Sequence, residues 1–96
     1  MECEDILNFL RRSRAEIALD YRASIKGIFG SIARDEARPD SDVDVLVQFE
    51  EDASVFDLVG LADFLEENLN RKVDIVSVRA VREEIRPAIE RDLIKV

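Results

Sequence analysis

Residues 30–47 read GSIARDEARPDSDVDVLV, and this stretch decides the fold. Gly30 directly follows the apolar run 24–29, a pattern typical of a buried strand that stops where the backbone must turn. Residues 42–49 begin as an alternation and continue as an apolar run rich in β-branched residues, which predicts a second strand. Residues 31–37 predict a short helix between the two. We therefore expect strand, turn, short helix, loop and strand.

Two carboxylates at the start of the second strand are the candidate catalytic residues. Asp42 and Asp44 alternate with Val43, so both project from one face of a strand. Such oxygen ligands suit Mg²⁺, which combines a few carboxylates with substrate phosphates. Asp74, near the start of a later predicted strand, is the natural third ligand if the two strands are neighbours. Three carboxylates can hold two metal ions for an in-line phosphoryl displacement.

The turn before the short helix has a complementary role. Gly30 has no Cβ, so the backbone can approach a phosphate closely. The N–H groups of Ser31 and its neighbours, at a helix start, can bind phosphate oxygens. Arg34, one turn further on, can add a charge-assisted contact. The sequence therefore predicts that these residues bind a nucleotide triphosphate.

Each of these residues also has a plainer interpretation. Paired aspartates occur on the solvated face of edge strands, Asp74 alone resembles a surface carboxylate, and Arg34 alone resembles a surface ion-pair partner. The combination of the Gly-Ser turn, the ten-residue gap to Asp42 and the later strand aspartate favours the site. The chain contains no histidine, so its acid–base and metal chemistry falls to carboxylates.

The rest of the chain predicts three further helices and one further strand. We expect a first helix over Glu4–Tyr21, a helix from a capping box at Ser54 to about Asn70, a strand over Lys72–Val76, and helical periodicity over Ala80–Arg91 with Pro87 starting a fresh turn. The apolar arc of the first helix comprises Ile6, Leu7, Leu10, Ile17, Ala18 and Tyr21. This order predicts an α/β (α+β) fold, a small mixed β-sheet covered by helices.

Composition limits the function classes. Ninety-six residues with 47% hydrophobic content predict one compact domain over residues 1–96. A net charge of −8 disfavours a long nucleic acid as ligand, though not a metal-neutralised nucleotide, and it suits a basic protein partner. Cys3 is the single cysteine, and no secretory or membrane segment is evident, so we expect a cytoplasmic protein.

Residues 30–47 resemble the signature of the polymerase-β-like nucleotidyltransferases, and the chain from about Ile25 to Val96 resembles the minimal nucleotidyltransferase (MNT) family. The resemblance implies that fold, and transfer of AMP from ATP, with Mg²⁺, onto a tyrosine of a HEPN-domain RNase toxin. Members of the family pair with such a partner and several act as antitoxins. We accordingly expect an antitoxin that works in a hetero-oligomer.

The resemblance also implies residue roles. Gly30 and Ser31 would hold the triphosphate, and Asp42 and Asp44 would ligate metal. Asp74 would help to bind the catalytic metal and accept the proton of the attacking hydroxyl.

Two other functions stay open at this point. One is a non-catalytic antitoxin that neutralises its partner by complex formation alone. The other is a nucleotidyltransferase acting on a small hydroxylated molecule, which would need an added substrate domain that 96 residues do not provide.

A stripe on the second long helix bears on partner binding. Phe56, Gly60 and Phe64 recur every four residues, displaced from the main apolar arc. Either the stripe helps to dock a second subunit, or the first or last helix covers it within the domain.

Overall fold

The computed structural model describes residues 3–36 and 38–96, which form helices packed on a four-stranded sheet. In chain order the elements are α1 (Cys3–Arg12), α2 (Arg14–Tyr21), β1 (Ala23–Phe29), α3 (Gly30–Ala33), β2 (Val43–Phe49), α4 (Val55–Leu69), β3 (Val73–Ser77), α5 (Arg86–Asp92) and β4 (Ile94–Lys95). A 3₁₀ turn, Val78–Ala80, follows β3.

The sheet is mixed, with strand order β3-β2-β1-β4. β2 runs antiparallel to β1 and parallel to β3, while β4 runs antiparallel to β1. Parallel neighbours need a crossover connection, and α4 supplies the one between β2 and β3. The predicted fold class, a small mixed sheet with helices, is confirmed.

The hydrophobic core lies on one face of the sheet. Val43, Val45 and Val47 of β2 are fully buried, and the residues between them are not. This alternation gives β2 one core face and one open face. The core also contains residues of β1 and of three helices: Ile25, Ile28, Ile6, Leu10, Ile17, Leu61 and Leu65. Helices α1, α2 and α4 therefore cover one face, and Asp44, Leu46 and Gln48 lie on the other.

The capping box at the start of α4 and the fresh turn at Pro87 are both confirmed. At the start of α4, the Ser54 hydroxyl accepts a hydrogen bond from the Phe56 N–H (3.2 Å), and Asp57 accepts one from the Ser54 N–H (2.9 Å). Pro87 lies in the first turn of α5. This helix begins at Arg86 rather than at the predicted residue 80, because proline fits the first turn of a helix and damages its interior.

The first helix is not continuous as predicted. It is divided at Ser13 into α1 and α2, although the Ser13 N–H still donates to the Phe9 carbonyl and the Ile17 N–H to the Ser13 carbonyl. Serine has a low helix propensity in helix interiors, which accounts for a break at this position. Ala18, predicted on the buried arc, is exposed.

The short helix after β1 also differs from its prediction. It spans Gly30–Ala33 and is followed by Asp35 in the left-handed conformation, with a φ of 61°. A residue in this region does not continue a right-handed helix. The predicted end at Ala37 lies outside the described residues.

Strand β4 was not predicted from the sequence. Its residues Ile94 and Lys95 pair with Ile28 and Gly27 of β1. A Cβ on Gly27 would collide with the Ile94 carbonyl oxygen and approach Leu93 Cδ1 to 2.9 Å. Gly27 therefore allows the chain terminus to pair closely with β1.

The aromatic stripe of α4 is divided between the interior and the surface. The ring of Phe64 lies 5.9 Å from that of Phe9 and 5.5 Å from that of Tyr21, measured between centroids. A Cβ on Gly60 would lie 3.0 Å from Tyr21 Cε1. The docking hypothesis is thus wrong for Gly60 and Phe64, which α1 and α2 cover. Phe56 remains 83% exposed.

We expect Gly27→Ala to destabilise the protein by about 1–3 kcal/mol, because backbone, not a flexible side chain, occupies the space of the new methyl group. Urea unfolding measures the loss. Amide exchange at Val96, whose N–H donates to the Lys26 carbonyl, reports on β4 directly. Ser24→Ala, at an exposed position of the same strand, is the control and should change stability by less than about 0.5 kcal/mol. Equal stability of the two variants would contradict the close approach of β4.

Candidate active site

The turn after β1 is shaped by a carboxylate. Gly30 has a φ of +79°, in the left-handed region that favours glycine. A Cβ built on Gly30 would collide with Oδ2 of Asp44. Asp44 thus packs against the backbone of the Gly-Ser turn, in the space that any other residue at position 30 would fill. The two halves of the predicted motif are in direct contact.

The start of α3 has unused hydrogen-bonding capacity. Phe29 occupies the N-cap position and provides no side-chain hydrogen bond to the helix. The first N–H groups of a helix have no partner within it, so those at Gly30 and Ser31 depend on solvent or a ligand. Ser31 is half-buried beside them. These N–H groups can donate hydrogen bonds to phosphate oxygens, as the sequence predicts.

The three predicted carboxylates lie at the same end of adjacent strands. Asp44 of β2 is opposite Phe29 of β1 and in register with Asp74 of β3. Asp42 lies two residues before Asp44, just ahead of the strand. Asp42 and Asp74 are exposed, while Asp44 is half-buried. The predicted adjacency of the strands that carry Asp44 and Asp74 is therefore observed.

The electrostatic environment singles out Asp44. Burial raises the pKa of its carboxyl group, and repulsion by Asp74 and Asp42 raises this pKa further. The guanidinium of Arg34 lowers it, as the smallest of the four influences. A positive charge placed among these carboxylates would relieve their repulsion.

The carboxylates suit a hard cation whose coordination shell is completed by other ligands. Across residues 3–36 and 38–96, no group of three or more histidine, cysteine, aspartate or glutamate side chains is already gathered as a metal cluster. Mg²⁺ does not require one, since one or two carboxylates with phosphate oxygens and water complete its shell. The donor set at Asp42, Asp44 and Asp74 therefore fits Mg²⁺ bound together with a nucleotide. Their individual roles as ligands remain a prediction.

Arg34 is held by carboxylates in this structure. Its Nη1 lies 2.8 Å from Asp92 Oδ2, and its Nε lies 3.3 Å from Glu36 Oε2. The first contact joins the end of α3 to α5. Arg34 is thus an ion-pair partner close enough to Asp44 to affect its pKa, and a phosphate would have to compete with Asp92 for it.

Residues of the open face of the sheet, of α2 and of α5 line a hollow of about 580 Å³. Its lining includes Leu46 and Gln48, which share the open face of β2 with Asp44, together with Lys26 and Lys95. Sequence reasoning missed this feature, because Lys95 reaches the hollow through β4, a strand too short to leave a periodic signal. We refer to it below as the lysine hollow.

Comparisons with known proteins identify the family of this chain. The family model for the nucleotidyltransferase domain matches residues 4–95. The chain is 34% identical over 93 residues to the protein adenylyltransferase MntA of Thermococcus cleftensis, covering 97% of this chain and 94% of the relative. It is 39% identical over 75 residues to a Methanocaldococcus jannaschii protein with the provisional name protein adenylyltransferase, covering 78% of this chain and 81% of that one.

Solved structures extend the comparison to the fold. One, provisionally described as a minimal nucleotidyltransferase, matches with a TM-score of 0.82 at 38% identity over 100% of this chain and 97% of its own. The chain belongs to the minimal nucleotidyltransferase family. A toxin–antitoxin crystal structure with AMP-PNP matches this minimal nucleotidyltransferase with a TM-score of 0.59 at 22% identity, over 74% of this chain and 59% of its own, and shares the fold.

Membership confirms the family resemblance carried by residues 30–47, and it makes the protein a nucleotidyltransferase enzyme. None of the helices in residues 3–36 and 38–96 combines the length and apolar character needed to span a bilayer.

The raised pKa of Asp44 leads to a prediction about stability. In the folded protein this carboxyl binds its proton more readily than in the unfolded chain, so its charged form opposes folding. Stability should therefore fall as the pH rises from below the ordinary carboxyl pKa to above the raised one. We expect Asp44→Asn to be more stable than wild type at pH 7 in EDTA, with the difference vanishing below about pH 4.

Urea unfolding across this pH range measures the effect. Asp63→Asn removes the same charge from an exposed position on α4 and should give a smaller gain. An Asp44→Asn variant less stable than wild type at pH 7 would show that Asp44 makes net favourable contacts in the fold.

Proposed function

We propose that this minimal nucleotidyltransferase transfers AMP from ATP to a tyrosine hydroxyl of a HEPN-domain RNase toxin and acts as its antitoxin. One observation above all supports the proposal. Asp44 lies against the Gly30 turn and in register with Asp74, so the turn and these two carboxylates lie close together. The names of the relatives, protein adenylyltransferases, support a protein as the acceptor.

The proposed transfer is a single displacement at phosphorus. The tyrosine oxygen attacks the α-phosphorus of ATP, and an O–P bond forms. The bond between that phosphorus and the oxygen bridging to the β-phosphate breaks, and pyrophosphate leaves. The phenolic proton passes to the carboxylate of Asp74, which is exposed at the mouth of the site.

Positioning and charge stabilisation account for most of the catalysis in such a transfer. In our proposal the N–H groups of Gly30 and Ser31 hold the triphosphate, and Asp42, Asp44 and Asp74 hold Mg²⁺. When bound, two Mg²⁺ ions would neutralise charge on the attacking and leaving oxygens. Asp44, packed against Gly30, would keep the metal and the phosphate-binding turn in fixed relation.

Two surface features support a protein partner. The net charge of −8 complements a basic, RNA-binding protein. At the start of α4, Phe56 (83%), Val55 (63%) and Val59 (53%) form an exposed apolar group. The same group would serve inhibition by complex formation alone, so that function is retained as the second candidate. A cytoplasmic location belongs to the proposal, since ATP is its substrate.

Catalysis is tested by incubating the protein with ATP, Mg²⁺ and the product of the neighbouring gene, followed by intact mass measurement. We expect the partner to gain AMP units. Asp42→Asn combined with Asp44→Asn should lower the rate by roughly 10²-fold or more, because it removes groups that would hold the charge-neutralising metal.

Asp63→Asn, with the same isosteric change far from the turn, should retain the wild-type rate. Modification by the Asp42→Asn, Asp44→Asn variant at the wild-type rate would refute the metal-ligand assignment. If wild type binds the partner and blocks its RNase activity without adding AMP, inhibition by complex formation is the correct function.

The role of Arg34 is tested separately. If it contacts the triphosphate, Arg34→Ala should weaken binding of a fluorescent ATP analogue by roughly 10-fold or more, as expected for loss of a charged hydrogen bond. Asp92→Asn should strengthen this binding, because it removes the carboxylate that competes for Arg34. Arg82→Ala, at an exposed arginine, is the control. Unchanged nucleotide binding with lowered stability in Arg34→Ala would assign it a structural role only.

A further inference from the structure

The lysine hollow differs in charge from the rest of the protein. The charged side chains in its lining are three cations, Arg14, Lys26 and Lys95, and one carboxylate, Glu90. Arg11 adds positive charge nearby, since its Nη2 donates to the Lys95 carbonyl oxygen (3.4 Å). The chain as a whole carries −8. The open face of an acidic protein thus contains a locally cationic hollow.

The cations of the hollow have no ion-pair partner among the described residues. Within the described ranges, 3–36 and 38–96, no carboxylate lies within ion-pair distance of Arg14, Lys26 or Lys95. Arginines elsewhere, such as Arg22 and Arg34, do have carboxylate partners. Three cations that line one hollow without such a partner supply positive charge that an anionic ligand can neutralise.

The hollow is next to the candidate catalytic carboxylates. Strand pairing places Lys95, Gly27 and Leu46 in one row across the sheet. The row of Asp44 and Asp74 lies two residues further along β2, on the same face. Two residues of a strand span roughly 7 Å. An extended polypeptide lying along this face would therefore occupy the hollow and reach Asp44 with a neighbouring side chain.

The lining also has an apolar part. Leu46, Val78 and Leu93 contribute to it beside the cations. The phosphates of ATP are assigned to the Gly30 turn, and the nucleobase is uncharged, so the nucleotide does not account for three cations. An acidic peptide with apolar or aromatic side chains matches both parts of the lining.

We propose that the lysine hollow binds the acceptor segment of the protein substrate, and that it selects a tyrosine flanked by acidic residues. The proposal rests on the proposed function and adds a rule of substrate choice to it. The acidic remainder of the surface would bind basic regions of the partner, so the hollow would orient a locally acidic segment toward Asp44.

The test measures peptide binding, which does not depend on turnover. A fluorescein-labelled peptide with one tyrosine flanked by aspartates is titrated with the full chain in the presence of AMP-PNP and Mg²⁺, and anisotropy is recorded. We expect it to bind at least 10-fold more tightly than the same peptide with asparagines, a difference of about 1.4 kcal/mol. Lys26→Glu with Lys95→Glu should reverse the preference, favouring a peptide with lysines beside the tyrosine.

Arg12→Glu with Arg82→Glu makes the same change of charge at exposed positions outside the hollow and should keep the wild-type preference. If circular dichroism shows that the Lys26→Glu, Lys95→Glu variant does not fold, the Lys26→Gln, Lys95→Gln variant is used instead. It should abolish the preference. Equal affinity for the aspartate and asparagine peptides, or no binding of either, would overturn the proposal. Weaker AMP-PNP binding with unchanged peptide binding in the variant would also overturn it, by assigning the hollow to the nucleotide.

Failure of this inference is distinguishable from failure of the proposed function. If the protein adds AMP to its partner but shows no preference among the peptides, the proposed function is supported and the inference about the hollow is wrong. If the protein prefers the acidic peptide but never transfers AMP, the hollow is a docking site and the catalytic proposal is wrong.

Discussion

The contact between the Asp44 carboxylate and the backbone of Gly30 is the constraint on which the site depends. The two residues come from different elements, and the carboxylate fills the space of a side chain that glycine lacks. The positive φ of Gly30 sets the path from β1 into α3, so one residue determines both the direction of the turn and the position of the acid. A larger residue at position 30 would therefore displace the Asp44 carboxylate as well as alter the turn.

This arrangement has an energetic cost. Asp44 is half-buried among other carboxylates, which raises its pKa and makes its charged state unfavourable in the fold. Burial of the opposite face compensates for that cost, because β2 contributes three fully buried valines to the core. One strand thus supports the fold with alternate residues and the chemistry with the others.

Patterns of the sequence predict the central part of this structure well. Periodicity and turn residues identify β1, β2, α4 and β3, and the capping box locates the start of α4. The candidate site is predictable because Gly30, Asp42 and Asp44 lie within one short stretch, and Asp74 follows from the strand after α4. The order of residues within short stretches of the chain is therefore enough to predict these elements and the candidate site.

What the sequence does not predict depends on contacts between distant segments. β4 has two residues, too few for a periodic pattern, and it forms because Gly27 leaves room for it. Phe64 is indistinguishable from Phe56 by spacing, and only the packing of Phe9 and Tyr21 determines which of the two is covered. The lysine hollow requires β4, the sheet register and α5 together, so no single stretch reveals it.

The one-sided core separates folding from recognition. The buried valines of β2 point to the core face, so replacing Gln48, which is exposed on the opposite face, leaves that buried layer unchanged. Related chains are therefore free to diverge in what they modify while folding alike. A scaffold of this kind offers engineers a surface whose side chains can be replaced to redirect nucleotide transfer.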